Sequence, residues 1–254
     1  MTYPAIVFDI DRTLTASKEA ITPPMAELIA QLSQTTPVAL ITGDSFTVID
    51  ANVLSRLPAS TQFDKLYVLP TSGAALYVFT DGSWTSRYAL NLDDEEVQHI
   101  DDAIREACAE TALIDLAAPS YGEIIEHRGP QVTISALGQN APIALKDAWD
   151  PDHFKKRTLR DAIAKRLPNY DVKTGGATSV DVTRAGINKA YGVRALATLL
   201  HLEPRDMLYV GDALYPGGND EIVKETGIVT RQVSGPDETK QVIADLLGNA
   251  PFRG

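Results

Sequence analysis

The chain has 254 residues, of which 44% are hydrophobic and 22% are charged, a composition typical of a globular protein of one or two domains. Lysine and arginine total 23 against 34 acidic residues, so the net charge of −11 argues against nucleic acid as a partner, because phosphate backbones attract clustered cations. The single cysteine excludes an intrachain disulfide, and the absence of a signal-like or ~20-residue apolar run leads us to expect a cytoplasmic protein without a membrane partner.

The first third of the chain alternates predicted strands and helices. Short apolar runs bounded by turn residues are typical of buried strands, and they occur at 5–8, 38–41 and 65–69. Helical patterns lie between them at 22–34 and 45–54. This alternation predicts a parallel, doubly wound sheet.

The pattern changes in the middle of the chain and returns after Gly186. The middle block predicts a hairpin at 74–88, helices at 93–110 and 151–167, and strands at 123–126, 131–135, 170–173 and 179–182. The last part predicts helices at 188–200, 219–225 and 236–247 and strands at 207–210 and 228–230. We therefore expect an α/β fold, with a Rossmann-like parallel-sheet core (residues 1–84 and 187–254) and an inserted α+β cap domain (residues 85–186).

Two carboxylates, Asp9 and Asp11, follow the first predicted strand at its carboxyl end, the edge where open parallel sheets bind ligands. Residues two apart on a strand point to the same face, and two close anions repel unless a cation lies between them or one is protonated. A hard divalent ion is the natural partner. By itself the pair fits solvated loop acids or a helix cap better than a metal site.

A second acidic pair follows the predicted strand 207–210. Asp212 comes directly after this strand, and the glycines of 216–218 let the chain turn sharply before Asn219 and Asp220, either of which can also cap the next helix. Four carboxylates are then expected at one edge of the sheet: Asp9, Asp11, Asp212 and Asp220.

The second predicted strand ends in Thr42-Gly43-Asp44-Ser45. A hydroxyl and free backbone N–H groups at the start of a helix form an anion site, with Thr42 as the candidate ligand and Asp44 or Ser45 as the cap. Lys189 lies at the start of another predicted helix, where a cation is unfavourable. It is therefore either exposed, as most lysines are, or paired with the acidic cluster.

Four segments resemble, in order and spacing, the motifs of the haloacid dehalogenase superfamily of phosphoryl-transfer enzymes: FDIDRTLT, ITGDS, the downstream Lys189 and YVGDALYPGGND. The middle block resembles the larger cap of the sugar-phosphate phosphatases in that superfamily. Within the superfamily, three stretches are similar to the eukaryotic-type phosphomannomutases: IIEHRGPQVTIS, GGATSVDVTRAGINKAYGV and GDALYPGGNDEI.

The resemblance implies a role for each matching residue. Asp9 is the nucleophile that becomes an aspartyl-phosphate, and Asp11 is the acid/base that protonates the leaving oxygen. Thr42 and Gly43 contact the transferring phosphoryl group, and Lys189 offsets its charge. Mg²⁺ is held by Asp9, the backbone carbonyl of Asp11, Asp212 and Asp220. The remaining residues that bind substrate are Arg128, Lys146, Ser179, Asp181 and Asn219.

Two positions depart from the family pattern. Arg12 replaces the usual glycine and adds a cation near the phosphate, and Gln139 stands where the cap of a phosphomannomutase has an arginine. Arg128 and Lys146 are then left to hold a distal phosphate, which a mutase must grip while its bisphosphate reorients. We therefore rank a Mg²⁺-dependent phosphatase of small phosphorylated metabolites, notably sugar phosphates, above a phosphomannomutase-like phosphotransferase.

Two non-enzymatic interpretations fit less well. A pure binding module does not need a nucleophile such as Asp9, and a receiver domain would be small and uncapped. The resemblance also suggests a homodimer formed through the cap.

Overall fold

The computed structural model describes residues 3–16 and 19–248. Contacts between Cα atoms divide the chain into two compact units, Met1–Tyr88 with Asn188–Gly254, and Ala89–Ile187. The sequence-based boundary after residue 84 cuts through the strand Ser83–Ala89, so the observed division lies later in the chain. In the described ranges, no helix is both long and apolar enough to cross a membrane.

The secondary structure alternates as the sequence pattern indicates. The strands are β1 (Ile6–Asp9), β2 (Val38–Ile41), β3 (Leu66–Leu69), β4 (Ala75–Thr80), β5 (Ser83–Ala89), β6 (Ile125–His127), β7 (Gln131–Ser135), β8 (Tyr170–Thr174), β9 (Ser179–Arg184), β10 (Leu208–Gly211) and β11 (Val229–Gln232). The α-helices are α1 (Pro23–Thr35), α2 (Phe46–Asn52), α3 (Asp94–Thr111), α4 (Ile143–Trp149), α5 (Phe154–Arg166), α6 (Lys189–Leu200) and α7 (Pro236–Gly248).

The first unit contains a sheet of order β11-β10-β1-β2-β3-β4-β5. The pairs from β11 to β3 are parallel, and β4 runs antiparallel to β3. β1 therefore lies between β10 and β2, and the carboxyl ends of these three strands are neighbours. The predicted α/β class with a Rossmann-like parallel core is confirmed, and the loops after β1, β2 and β10 meet at one edge of the sheet.

Both faces of this sheet are covered, which explains why its central strands are continuous apolar runs. Ile6 and Phe8 of β1 pack in one layer with residues of α1 and α7. Val7 points the other way and packs in a second layer with Val193 of α6 and Tyr209 of β10. All four residues of β1 are buried, so the end of this strand delivers Asp9 from a rigid element.

The second unit contains an antiparallel sheet of order β6-β7-β9-β8. Alternation gives this sheet two different faces. Val132 and Ile134 of β7, with Val180 and Val182 of β9, pack in the hydrophobic cluster that also contains residues of α3 and α5. The opposite face carries polar side chains: Gln131, Thr133, Ser135, Ser179, Asp181 and Thr183.

Two predicted helices differ from the structure. The basic helix expected at 151–167 is α5, which begins later, at Phe154, because His153 before it adopts a left-handed backbone (φ 59°), and the preceding helix α4 was not predicted. The Asp150 carboxylate accepts hydrogen bonds from the backbone N–H groups of Lys155 and Lys156 and so begins α5. The helix expected at 219–225 is a short 3₁₀ helix, Glu221–Thr226.

Arg12 adopts the left-handed backbone conformation (φ 58°) that glycine reaches without strain. The chain after Asp11 therefore follows a path suited to the glycine of the family pattern, with an arginine side chain added. For a non-glycine residue this conformation costs about 1–2 kcal/mol.

A close approach between two glycines joins the loop after β3 to α6. A Cβ placed on Gly192 would lie 2.9 Å from the Gly73 Cα and 3.0 Å from Leu69 Cδ2. One turn after its start at Lys189, helix α6 therefore packs directly on the backbone of the loop after β3. This contact sets the distance between the helix and the sheet.

We expect Gly192→Ala to destabilise the protein by about 1–3 kcal/mol, because the added methyl group must displace backbone atoms. Gly248→Ala is the matched control, since a Cβ there would have no neighbour within 4 Å. Urea unfolding, monitored by fluorescence, measures the stability of both variants. Equal midpoints for Gly192→Ala and the wild type would contradict the close packing.

Candidate active site

Three carboxylates meet at the carboxyl edge of the first sheet. Asp9 ends β1, Asp212 follows β10 directly, and Asp220 precedes the 3₁₀ helix after the glycine turn. One oxygen from each lies within 4.8 Å of the others. The backbone N–H of Asp212 donates to Thr13 Oγ1 at 3.1 Å, so the loops after β1 and β10 are tied to each other. Asn219, next to the buried Asp220, is exposed.

The side chain of Asp11 lies outside this carboxylate group. The expectation that Asp9 and Asp11 share one face required the strand to continue, but β1 ends at Asp9. The chain then turns, and the backbone N–H groups of Thr13, Leu14 and Thr15 all point to the carbonyl of Ile10. The structure therefore differs from the residue-based expectation of a four-carboxylate cluster, and the resemblance assigned only the backbone carbonyl of Asp11 to the metal.

Lys189 is buried among these carboxylates, with 3% of its surface exposed. Its Nζ donates to Asp9 Oδ1 and to Asp220 Oδ1, each at 2.6 Å. Asn188 caps the helix instead, accepting hydrogen bonds from the backbone N–H groups of Ala190 and Tyr191. Of the two alternatives that the sequence left open for Lys189, the structure shows pairing with the acidic cluster.

Burial and charge shift the pKa values of this cluster. Burial raises the pKa of Asp9 well above 3.8, and the attraction of Lys189 only partly offsets it, because Asp220 and Asp212 add repulsion. Burial alone would lower the pKa of Lys189, but Asp220 and Asp9 outweigh it and raise that pKa. Burial, followed by repulsion from Asp220, raises the pKa of Asp212 to about 6, against the lowering effects of Lys189 and Arg12. One lysine thus faces three carboxylates, and a cation would relieve the surplus negative charge.

Thr42 is buried directly after β2, with half-buried Gly43 next to it. Its hydroxyl accepts a hydrogen bond from the backbone N–H of Asp44 at 3.3 Å, and its carbonyl accepts one from Ser72 at 2.7 Å. Ser45 takes the N-cap position of α2 without a capping hydrogen bond from its side chain. The structure therefore holds Thr42 at the edge where Asp9 ends the neighbouring strand.

Two features of this site were missed in the sequence. The turn Thr71–Gly73 adopts three consecutive left-handed conformations (φ 48°, 58° and 86°) and supplies the hydrogen bond to Thr42. Tyr209 donates from its hydroxyl to Asp220 Oδ1 at 2.6 Å. The sequence contains a signal for each feature. Pro70 and Gly73 mark a sharp turn, and a tyrosine in a buried strand needs a hydrogen-bond partner.

The candidate cations of the second unit already have partners. The Arg128 guanidinium donates to Glu126 Oε2 at 2.7 Å, and this ion pair is largely buried. Lys146 is 6% exposed, and its Nζ donates to the backbone carbonyl of Gln139 at 2.7 Å. A phosphate bound here would have to compete with a carboxylate for Arg128.

Ser179 and Asp181 lie on the polar face of the second sheet. They stand opposite Ser135 and Thr133 in the β7–β9 register. Thr133 donates to Asp181 Oδ1 at 2.8 Å, and the hydroxyls of Ser135 and Ser179 are 3.3 Å apart. The structure therefore groups the two predicted sugar-contacting residues with two further hydroxyls.

Residues 25–249 match the sequence model described as eukaryotic phosphomannomutase. The chain belongs to the eukaryotic phosphomannomutase family. It is 26% identical to a phosphomannomutase of Spinacia oleracea over 254 residues, which cover 96% of each chain.

Solved structures show the same fold. The IMP-bound, N-terminally truncated IMP-nucleotidase of Plasmodium falciparum superposes with a TM-score of 0.69 at 18% identity, covering 97% of this chain and 68% of that chain. The C-terminal domain of trehalose-6-phosphate phosphatase from C. albicans superposes with a TM-score of 0.64 at 16% identity, covering 97% of this chain and 93% of that chain. The predicted membership of the haloacid dehalogenase superfamily is confirmed, and this phosphomannomutase-family chain is a phosphoryl-transfer enzyme of that superfamily.

The donor set of this family member suits a hard divalent cation. Asp9, Asp212 and Asp220 supply oxygen atoms only, and oxygen is the ligand atom that Mg²⁺ prefers. Burial, together with repulsion among the carboxylates, raises the pKa values of Asp9 and Asp212, and Lys189 offsets only part of this rise. The residues present therefore fit a bound Mg²⁺.

In the absence of metal, we expect Asp212→Asn to stabilise the protein. The folded carboxyl has a pKa of about 6 against 3.8 ordinarily, so its ionised form opposes folding above pH 6, and the effect vanishes below about pH 4, where both states are protonated. Because the residue is only partly buried, the expected gain at pH 7.5 is about 1–2 kcal/mol.

Urea unfolding in excess chelator at pH 7.5 and pH 4 measures this gain. Added Mg²⁺ should then stabilise the wild type more than Asp212→Asn. A variant less stable than the wild type at pH 7.5 in chelator would show that the carboxylate is not under repulsion.

Proposed function

We propose that this chain is a Mg²⁺-dependent phosphatase of small phosphorylated metabolites, in particular sugar phosphates, acting through an aspartyl-phosphate on Asp9. The observation that carries the proposal is the buried Lys189 ammonium, 2.6 Å from Asp9 Oδ1. A carboxylate is a poor nucleophile toward a phosphate dianion because the two repel each other. A fixed cation on the attacking oxygen reduces that repulsion and remains beside the phosphoryl group after transfer.

In the first step, an oxygen of Asp9 attacks phosphorus, the bond from phosphorus to the leaving oxygen breaks, and Asp11 gives its proton to that oxygen. In the second step, Asp11 takes a proton from water, the water oxygen attacks phosphorus, and the bond to Asp9 breaks. Thr42, held by the backbone of Asp44 and Ser72, donates from its hydroxyl to a phosphoryl oxygen. Each step therefore uses a group at the carboxyl edge of the first sheet.

Asp9 and Asp212, with the backbone carbonyl of Asp11 that the resemblance indicates, would hold the Mg²⁺. Asp220, the remaining ligand that the resemblance implies, already accepts hydrogen bonds on both of its oxygens, so we assign it to Lys189 instead of the metal. When bound, this ion screens the charge of the phosphoryl group against the carboxylates. Without it, Lys189 alone faces three carboxylates and the added phosphate.

The second unit favours water as the acceptor. Arg128 is paired with Glu126, Lys146 is bonded to a backbone carbonyl, and the neighbouring Gln139 has no charge. We propose that these groups, with Ser179 and Asp181 of the same unit, recognise the neutral, hydroxyl-bearing part of a sugar phosphate. A second phosphate would have to compete with Glu126 for Arg128 and with a backbone carbonyl for Lys146, so we propose that a bisphosphate would leave before it could reorient.

A phosphomannomutase-like transfer is the second candidate, because the family match and the spinach relative carry that name. The chemistry at Asp9 is the same in both cases, and only the second acceptor differs: water in a phosphatase, a sugar hydroxyl in a mutase. A homodimer formed through the second unit and a cytoplasmic location remain predictions from the sequence.

We expect Asp9→Asn to abolish turnover and to prevent formation of the aspartyl-phosphate, because the amide cannot attack phosphorus. Asp11→Asn should form and hydrolyse the intermediate roughly 10²–10⁴-fold more slowly, through loss of the proton transfer. Rapid-quench labelling with a radioactive phosphomonoester measures both. Asp81→Asn, in the exposed hairpin turn with a left-handed backbone that asparagine tolerates, is the control. Near-native turnover by Asp9→Asn would disprove the covalent route.

We expect the wild type to release inorganic phosphate from hexose phosphates without a bisphosphate activator. Gln139→Arg should shift the ratio of isomerisation to hydrolysis about tenfold toward isomerisation, because it adds a charge-assisted contact for a second phosphate. Gln98→Arg adds the same charge at an exposed position of α3 and should leave the ratio unchanged. The assay follows phosphate release and mannose-1-phosphate isomerisation together. Efficient isomerisation by the wild type with negligible phosphate release would favour the mutase.

A further inference from the structure

Tyr209 is a tyrosine in the otherwise aliphatic strand β10, and its side chain is fully buried. Its ring packs in the apolar layer beneath α6, and its hydroxyl reaches the acidic edge, where it donates to Asp220 Oδ1 at 2.6 Å. A phenol hydroxyl in an apolar layer is costly unless it is hydrogen-bonded. The contact with Asp220 meets that requirement and links the core to the site.

Three donors fix the carboxylate of Asp220. Oδ1 accepts from both Tyr209 and Lys189 Nζ, each at 2.6 Å, and Oδ2 accepts from the backbone N–H of Ala213 at 3.2 Å. A carboxylate oxygen has two lone pairs, so both positions on Oδ1 are in use. Asp220, which is fully buried, is therefore held in one orientation by contacts on both of its oxygens.

Gly211 provides the space for this arrangement. A Cβ placed there would lie 2.8 Å from Tyr209 Cε1 and in overlap with Asp220 Oδ2. Any side chain at position 211 would therefore push the tyrosine ring or the carboxylate out of place. Tyr209, Gly211 and Asp220 form one packed group behind the lysine.

On the basis of the proposed function, we infer that Tyr209 is a positioning residue. Through Asp220, its hydroxyl holds the Lys189 ammonium against Asp9, so Asp220 serves the lysine while Asp9 and Asp212 serve the metal. The flexible four-carbon stem of a lysine does not by itself define where the ammonium lies. Two fixed acceptors, each 2.6 Å from Nζ, do define it, and Tyr209 fixes one of them.

Tyr209→Phe removes the hydroxyl and keeps the ring. With p-nitrophenyl phosphate and saturating Mg²⁺, we expect kcat to fall about tenfold and KM to change less than about twofold, because the lost bond orders the lysine during transfer and does not hold the substrate. Tyr67→Phe is the matched control, since it removes a half-buried tyrosine hydroxyl from β3 of the same sheet and should leave kcat unchanged. An unchanged kcat in Tyr209→Phe would overturn the inference.

The double variant tests whether the hydroxyl acts through Asp220. Once Asp220→Ala has removed the acceptor of the Tyr209 hydroxyl, adding Tyr209→Phe should lower kcat by less than about twofold further, because residues of one network are not additive. A further tenfold loss would overturn the inference, since it would mean that Tyr209 acts by another route.

Calorimetry provides a measurement that is independent of turnover. Beryllium fluoride with Mg²⁺ imitates a phosphoryl group on Asp9, and we expect Tyr209→Phe to weaken its binding about tenfold while Mg²⁺ alone binds within about twofold of the wild type. A tenfold loss of Mg²⁺ affinity would overturn the inference, because Asp220 would then be a metal ligand. A wild type that binds both but hydrolyses no phosphomonoester would disprove the proposed function, and this binding comparison would still test Tyr209.

Discussion

The site depends on one buried ammonium group shared by two carboxylates. Lys189 has almost no contact with solvent and donates to Asp9 and Asp220 at equal distances. Burying any one of these charges alone would cost several kcal/mol, so each is tolerated only because of the others. The fold meets this condition by bringing together Asp9 at the end of β1 and Lys189 at the start of α6, which lie 180 positions apart in the chain.

The topology of the sheet makes that meeting possible. β1 lies between β10 and β2, so the loops that follow these three strands are adjacent at one edge. The helix that begins at Lys189 approaches the sheet closely because Gly192 packs against Gly73 without side chains between them. The turn that contains Gly73 also hydrogen-bonds Thr42 through Ser72, so the same few residues place the lysine helix and the loop that contains Thr42.

The second unit shows a different balance of charge. Its sheet places aliphatic side chains toward its helices and polar side chains on the other face. On that unit the candidate cations are already neutralised or hydrogen-bonded, as the Arg128–Glu126 pair shows. A charge partner of this kind weakens the attraction for a phosphate dianion. In the first unit, by contrast, three carboxylates share one lysine, and burial and mutual repulsion raise the pKa values of Asp9 and Asp212.

The amino-acid sequence by itself determined the parallel core, the inserted α+β block, and Asp9, Asp212 and Asp220 as neighbours, because strand periodicity and glycine turns are local properties. The tertiary structure alone decided the partners of Lys189, since a lysine at the start of a helix is compatible with solvent or with burial. It also separated the Asp11 side chain from the other carboxylates, because β1 ends at Asp9, two residues before Asp11, so strand alternation does not continue to Asp11. The contacts of Tyr209 and Arg128 likewise follow from packing and pairing between different elements, which no local pattern encodes.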